Sequence, residues 1–243
     1  MKIIKERGEL MVPIAIVVAA VIIALAVIFT NNKTGVNSPT ANSNEQAAKG
    51  TTLTGLAKQI GIDEKAFNEC QKSGKYNDKI KKQISDAGLA GGGGTPHSII
   101  VAPNGNLIQV LGAQPLEDYK DQKGNTQKGL KSFFDELIAG NNFENDTTIK
   151  FQPVTAEDHI NGDINAPIKI VEYSDIDCPF CKRFHGTLEE VRAIYGDKVA
   201  WVYRHSPIAQ LHPDAFNKSH ATECVAEIGG NDKFWEYLKL LSN

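Results

Sequence analysis

The sequence predicts an α/β fold: a small mixed sheet with covering helices, a helical cluster drawn from both ends of the folded part, and one transmembrane helix ahead of them. Three observations predict it. Residues 168–173 (IKIVEY) and 198–204 (KVAWVYR) are short runs rich in β-branched and aromatic residues, as strands are. Residues 53–89 and 212–241 instead repeat apolar residues at three- and four-residue steps, the period of a helix with one buried face. Residues 10–29 carry no charge, amide or hydroxyl at all. A chain of 243 residues that is 41% hydrophobic and 23% charged is not a disordered one. Its net charge of −3, from 26 basic and 29 acidic side chains, argues against a nucleic-acid binder, which presents a basic face or tail.

In chain order, the apolar run comes first. At about 1.5 Å per residue it reaches roughly 30 Å, the thickness of a bilayer's hydrocarbon core. A cleaved signal peptide has a shorter apolar region and small residues at its cleavage site. This run ends Leu25-Ala26-Val27-Ile28-Phe29-Thr30, so residues 10–30 read as an uncleaved signal anchor. Lys2, Lys5 and Arg7, partly offset by Glu6 and Glu9, leave residues 1–9 in the cytoplasm by the positive-inside rule. The remainder is then extracytoplasmic, on a single-pass protein of the cell membrane. That side is oxidising, which makes disulfide chemistry the first reading of the four cysteines. Residues 31–50 are rich in Asn, Thr, Ser and Gly and read as a flexible linker, leaving residues 51–243 as one domain.

Within that domain Leu56, Ile60, Phe67, Cys70 and then Tyr76, Ile80, Ile84 keep helical spacing, broken at Gly61 and Gly74. Four glycines, 91–94, form a hinge before Thr95-Pro96. Residues 97–102 and 107–111 flank Pro103-Asn104-Gly105-Asn106, a hairpin signal. Residues 127–139 form one amphipathic helix, residues 141–150 a polar connector, and residues 149–154 a further strand. After strand 168–173 come a helix at 179–195, strand 198–204, and helices at 212–228 and 232–241. Arg204, His205 and His212 fall at or beyond the end of that last strand and read as surface and cap residues, not ligands.

Cys178-Pro179-Phe180-Cys181 follows a buried strand and opens a helix. There a thiol faces unpaired backbone N–H groups and the positive end of the helix dipole, which favour thiolate. Pro179 suits the first helical turn, where its missing N–H goes unneeded. Two thiols three positions apart close a small ring that another thiol readily opens. Redox chemistry competes with two alternatives. Zinc held by Cys178, Cys181, His220 and Cys224 would make a binding module with no enzymatic role, although such Cys-x-x-Cys pairs usually sit in their own knuckle. An inert disulfide within four residues would be strained.

The segments VEYSDIDCPFCKRFHGTLEEV, VYRHSPIAQLHP, ATECVAEIGG and KFWEY resemble the first half of an exported DsbA-like thiol–disulfide oxidoreductase, a thioredoxin fold with an inserted helical subdomain. LAKQIGIDEKAFNECQKSGKY and GTPHSIIVAPNG, within residues 54–118, resemble the second half. The usual order is reversed. Residues 51–140 correspond to the family's C-terminal half, residues 141–152 to a connector, and residues 153–243 to the N-terminal half with the CPFC motif. Together the halves make about one domain, as a circular permutation would. Two truncated copies completed by swapping is the competing arrangement.

The resemblance implies a Cys178–Cys181 redox disulfide, with Cys178 as the exposed nucleophile and Cys181 as its buried partner. It implies that Glu172, six positions before Cys178, relays protons for Cys181, and that Pro96 is cis in a Thr95-Pro96 loop facing the disulfide. Substrate then meets Thr95, Pro96, Pro179 and Phe180. Phe180 departs from the most oxidising members, which carry His there, so reductase or isomerase activity stays open beside oxidase activity. His185 reads as decoration of its helix. A structural Cys70–Cys224 disulfide is implied, against two buried free thiols. The family further implies reduced exported proteins as substrates and recharging by a quinone-linked membrane oxidase of the DsbB or vitamin-K-epoxide-reductase kind. No cofactor, no metal and no nucleic acid are expected, and the protein is expected to be a monomer.

Overall fold

The computed structural model describes residues 52–242. The anchor at 10–30 and the linker at 31–50 lie outside them. Among the described residues no helix is long and apolar enough to cross a membrane. The described segment opens with three helices, α1 (Leu53–Gln59), α2 (Glu64–Ser73) and α3 (Asn77–Leu89), then a hairpin of β1 (His97–Val101) and β2 (Leu107–Leu111). A short ribbon, β3 (Tyr119–Lys120) with β4 (Thr126–Gln127), leads into α4 (Leu130–Ile138). Then come β5 (His159–Asn161), β6 (Ile168–Ser174), α5 (Pro179–Tyr195), a 3₁₀ turn (Gly196–Lys198), β7 (Val199–His205) and α6 (Ala215–Ser242).

Five strands form one sheet in the order β2-β1-β6-β7-β5, with β6 and β7 parallel and the other pairs antiparallel. Strand alternation sends Ile168, Ile170, Glu172 and Ser174 of β6 to one face, beside Trp201, Tyr203 and His205 of β7. On that face pack Phe184 and Leu188 of α5, Phe134 of α4, and Phe234 and Tyr237 of α6. Val171, Tyr173 and Val202 face the other way, against Ala87 of α3. A central strand covered on both sides is buried nearly throughout, and β6 is, with Glu172 and Ser174 enclosed among its apolar residues.

Local signals set the boundaries. Thr52 Oγ1 accepts the Gly55 N–H at 3.0 Å and Asp63 Oδ1 the Ala66 N–H at 2.8 Å, capping α1 and α2. Gly105 turns the β1–β2 hairpin at φ 85°. Helix α6 is two arms broken at Gly230, whose φ of 82° and ψ of −177° are non-helical. The first arm runs along α2, where Cys224 and Cys70 form a disulfide. The second returns to α1, where the Tyr237 hydroxyl donates to the Leu53 carbonyl at 2.8 Å. The two ends of the described segment therefore lie side by side.

Three expectations need correction. Residues 149–154 are not a strand, because the buried Arg204 guanidinium takes the carbonyls of Gln152 (2.9 Å) and Pro153 (3.1 Å) that a sheet would have used. The helix expected at 127–139 begins at Leu130, since Thr126 and Gln127 pair with Tyr119 and Lys120. Arg204 and His205 are the last residues of β7 and are buried, at 4% and 0% exposure. Arg204 pairs with Asp158 through Nε and Nη2 at 2.8 and 2.9 Å and also donates to the Tyr173 hydroxyl. His212 is half-buried, its Nδ1 2.9 Å from Asp175 Oδ2.

Candidate active site

Strand β6 delivers the chain to the site. At its end Asp175, fully buried, accepts from the backbone N–H of Asp177 at 2.9 Å and of Ile208 at 2.6 Å, which ties the CPFC turn to the loop after β7. Cys178 then caps α5 in extended conformation, with Pro179 in the first turn, so its side chain sits at the helix N-terminus. Opposite stands the loop before β1. The register His97↔Tyr173 sets Pro96 beside the end of β6, and the Thr95-Pro96 peptide is cis. Cys178 Sγ lies 3.5 Å from the Thr95 carbonyl, while the Pro96 carbonyl accepts from Gly112.

Both thiols are free. Cys181 is fully buried, and Cys178, expected to be exposed, is only 5% so because the Thr95-Pro96 loop covers it. Access falls to its neighbours: Pro179 is exposed, Phe180 is 54% exposed with Arg183 over its ring, and Leu211 stands out nearby in sequence from the Asp175-bound loop. Burial pushes the Cys181 thiol far up, and the Glu172 charge adds to it, against hydrogen bonds from Ser174 and the Asp175 backbone.

Beneath the thiols Glu172 is fully buried on the α5 face of the sheet. Its Oε2 accepts from Trp201 Nε1 at 3.0 Å. Its Oε1 lacks an aligned hydrogen bond, although His185 Nε2 lies 3.3 Å away. His185 is therefore no helix decoration. It is 7% exposed, one turn beyond Cys181, with Nε2 3.1 Å from Ser174 Oγ and Nδ1 3.4 Å from Ser242 Oγ. Sequence periodicity passed over it because its partners lie 11 or more positions away. The i+4 spacing from Cys181 was the available signal.

Cys70 and Cys224 sit elsewhere, linked by the disulfide between α2 and α6 with their Cα atoms 5.7 Å apart. Cys224 is thus no free zinc ligand, and His220 points its Nδ1 at Gln71 Oε1, 2.6 Å away. Among the described residues, the group close enough to hold a metal is His159, His205 and Glu223. There the Lys79 ammonium already lies 2.8 Å from Glu223 Oε2, and both imidazole Nε2 atoms meet Oε1, at 3.0 and 3.1 Å. Burial alone would raise the Glu223 carboxyl, but the hydrogen bonds from His159 and His205 outweigh it and hold it well below the usual range. Burial lowers His205.

The Thioredoxin family profile matches residues 154–243, and this part of the chain is a thioredoxin-like domain. Curated relatives include Na(+)/H(+) antiporter NhaA 1 of Mycolicibacterium vanbaalenii, 47% identical over 79 residues, which are 32% of this chain and 12% of that protein. Its namesake in Mycolicibacterium gilvum is 44% identical over 86 residues, 35% of this chain and 14% of that one. Na(+)/H(+) antiporter NhaA 3 of Salinispora tropica is 38% identical over 84 residues, with 35% and 12% covered. This chain therefore matches only a small part of each relative's length. No solved structure matches the chain.

Proposed function

We propose that this chain is a thiol–disulfide oxidoreductase, a reading supported by a thioredoxin-like domain with a Cys-x-x-Cys pair at a helix start. We propose that it is a DsbA-like one, membrane-tethered and extracytoplasmic, that passes a Cys178–Cys181 disulfide to cysteine pairs in exported proteins. The observation that supports this most is the Cys178 sulfur facing the Thr95 carbonyl across the site, with Cys181 and Glu172 buried behind it. A substrate strand entering over Thr95, Pro96, Pro179 and Phe180 brings its thiolate to Cys178. The thiolate attacks Cys178 Sγ, the bond to Cys181 breaks, and Cys181 takes a proton. A second substrate thiolate then attacks the substrate's own bridged sulfur and releases Cys178. Two substrate thiols become a disulfide and the enzyme disulfide becomes two thiols. Burial keeps Cys181 protonated and slow to resolve the mixed species, which favours release by the substrate's second thiol.

The order of the halves reads as a circular permutation within one chain. The half with β1, β2 and α4 precedes the half with β5, β6, α5 and β7, and Leu53 meets Tyr237 where the usual connection would run. In this reading a monomer carries the whole site, residues 10–30 hold it at the membrane, and a quinone-linked membrane oxidase recharges it.

The test is turnover by the full chain in detergent. The oxidised protein is expected to oxidise a two-cysteine peptide, and Cys178→Ser to abolish this. An inert wild type would overturn the reading. The potential of the Cys178–Cys181 couple sets the direction: a value close to thioredoxin's, about −270 mV, would replace the oxidase by a reductase, whereas one toward the −120 mV of DsbA itself supports oxidation.

A further inference from the structure

A pocket of about 320 Å³, lined by neither thiol and by neither Thr95 nor Pro96, opens between α5 and the second arm of α6. Its wall includes His185 and Trp201, which adjoin Glu172, and Ser242, which adjoins His185. The hydrogen bonds fix how His185 sits between the acid and this pocket. The Ser242 hydroxyl donates to the Leu238 carbonyl at 2.9 Å, so toward His185 it accepts, and Nδ1 of the imidazole carries a proton. In the neutral ring Nε2 is then bare. It faces the Ser174 hydroxyl and the one Glu172 oxygen left without an aligned partner. Ser174 also acts on the Cys181 thiol, drawing it down against its burial.

We propose that His185 is a proton-relay residue, exchanging protons between the buried Cys181–Glu172 pair and solvent in the α5–α6 pocket. This deepens the exchange reaction proposed above and rests on it. When an incoming thiolate bonds to Cys178 Sγ, the Cys178–Cys181 bond breaks and its electron pair leaves on Cys181. The proton shared by Glu172 Oε1 and His185 Nε2 passes through the Ser174 hydroxyl to that sulfur. Pocket water past Ser242 then restores the proton the pair has given up, and when the disulfide reforms the Cys181 proton returns by Ser174 to His185 Nε2 and the pair releases one proton to the pocket by the same route. The chemistry thus draws its proton through a pocket that none of Thr95, Pro96, Pro179 and Phe180 lines.

Few ionisable groups surround the pair. Cys181 faces it from α5 and Tyr203 from β7; burial and then the Glu172 charge hold the Tyr203 phenol protonated, so it does not compete. At the pocket, Lys239 of α6 pairs with Glu189 of α5 at 3.0 Å, Glu236 with Lys233 at 2.6 Å, and Lys182 reaches the Leu241 carbonyl. None of these stands between His185 and the pocket.

The experiment follows the opening of the oxidised Cys178–Cys181 disulfide by a small dithiol, with the full chain, from pH 5 to 9. His185→Ala is expected to slow opening about 10²-fold, at the lower end for a lost general acid. Added imidazole, entering through the pocket, should restore its rate, whereas His185→Leu, which fills the space, should stay slow. Ser242→Ala, a removal of one hydroxyl, should lose about 3- to 10-fold, the worth of one hydrogen bond, and shift the pH profile. A wild-type rate and profile in His185→Leu or in Ser242→Ala would overturn the relay, as would a slow His185→Ala that imidazole leaves unchanged. A wild type that does not exchange thiols at all strikes the oxidoreductase reading instead, which separates the two failures.

Discussion

Two buried glutamates on neighbouring elements have opposite surroundings. Glu223 is saturated: Oε1 meets two imidazoles and Oε2 meets Lys79, so α3, β5, β7 and α6 converge on one carboxylate. Glu172 holds one firm bond, from Trp201, and its other oxygen is left to a misaligned histidine. Burial is similar, at 2% and 0% exposure, so burial does not distinguish them. What differs is satisfaction. A buried acid whose every oxygen is matched acts as a pin between elements, whereas one with a spare oxygen is the one that the proposed relay would use to hold or pass a proton.

The contrast breaks or sharpens on mutation. The largest expected effect is on Glu223→Ala, which strands Lys79 and two imidazoles; unfolding in urea should show a loss of about 3–5 kcal/mol. Glu172→Gln keeps an acceptor for Trp201 and should stay within about 1 kcal/mol of wild type, while slowing disulfide opening. Equal destabilisation by the two would erase the distinction. Next comes the Cys70–Cys224 bond, which closes a loop 154 positions long beside Glu223. Replacing both cysteines by Ala should cost about 2–4 kcal/mol in unfolding without changing the rate of thiol exchange, since neither sulfur adjoins Glu172.

The smallest effect is acidic weakening. His205 is held below its ordinary value of 6.5, so under that pH the unfolded chain binds a proton that the folded chain refuses. Glu223 is held below its ordinary 4.5, so it adds the same sign of loss once pH falls under that value. Stability should decline from about pH 6.5 downward and more steeply below about 4.5, as denaturant midpoints at pH 7.5, 5.5 and 4 would show. A protein as stable at pH 4 as at 7.5 would mean the Glu223 cluster does not hold the fold.

Much of the fold was legible because it lies in local patterns. The β-branched and aromatic residues of β6 and β7, the Asn-Gly turn at Gly105 and the Pro179 helix start each announce themselves within a few residues. What stayed hidden depends on partners distant in sequence. Residues 149–154 carry strand-like composition, yet Arg204, some fifty positions on, takes their carbonyls. His185 and His205 sit buried because Glu172 and Glu223 receive them, and no window along the chain contains both members of either pair. Apolar periodicity finds a core but not the polar groups enclosed in it. For those, the informative pattern was strand alternation, which sets Glu172, Ser174, Tyr203 and His205 on one face.

The Cys70–Cys224 bond also changes the topology of the covalent molecule. The seven strands of the described residues, from His97 to His205, lie between the two cysteines, so the sheet is enclosed in a macrocycle. Hydrolysis of any one peptide bond from Gln71 to Glu223 linearises that ring but releases no piece of it. A single nick in the connector leaves both halves in one molecule, and only a second cut or reduction of the bond lets them part.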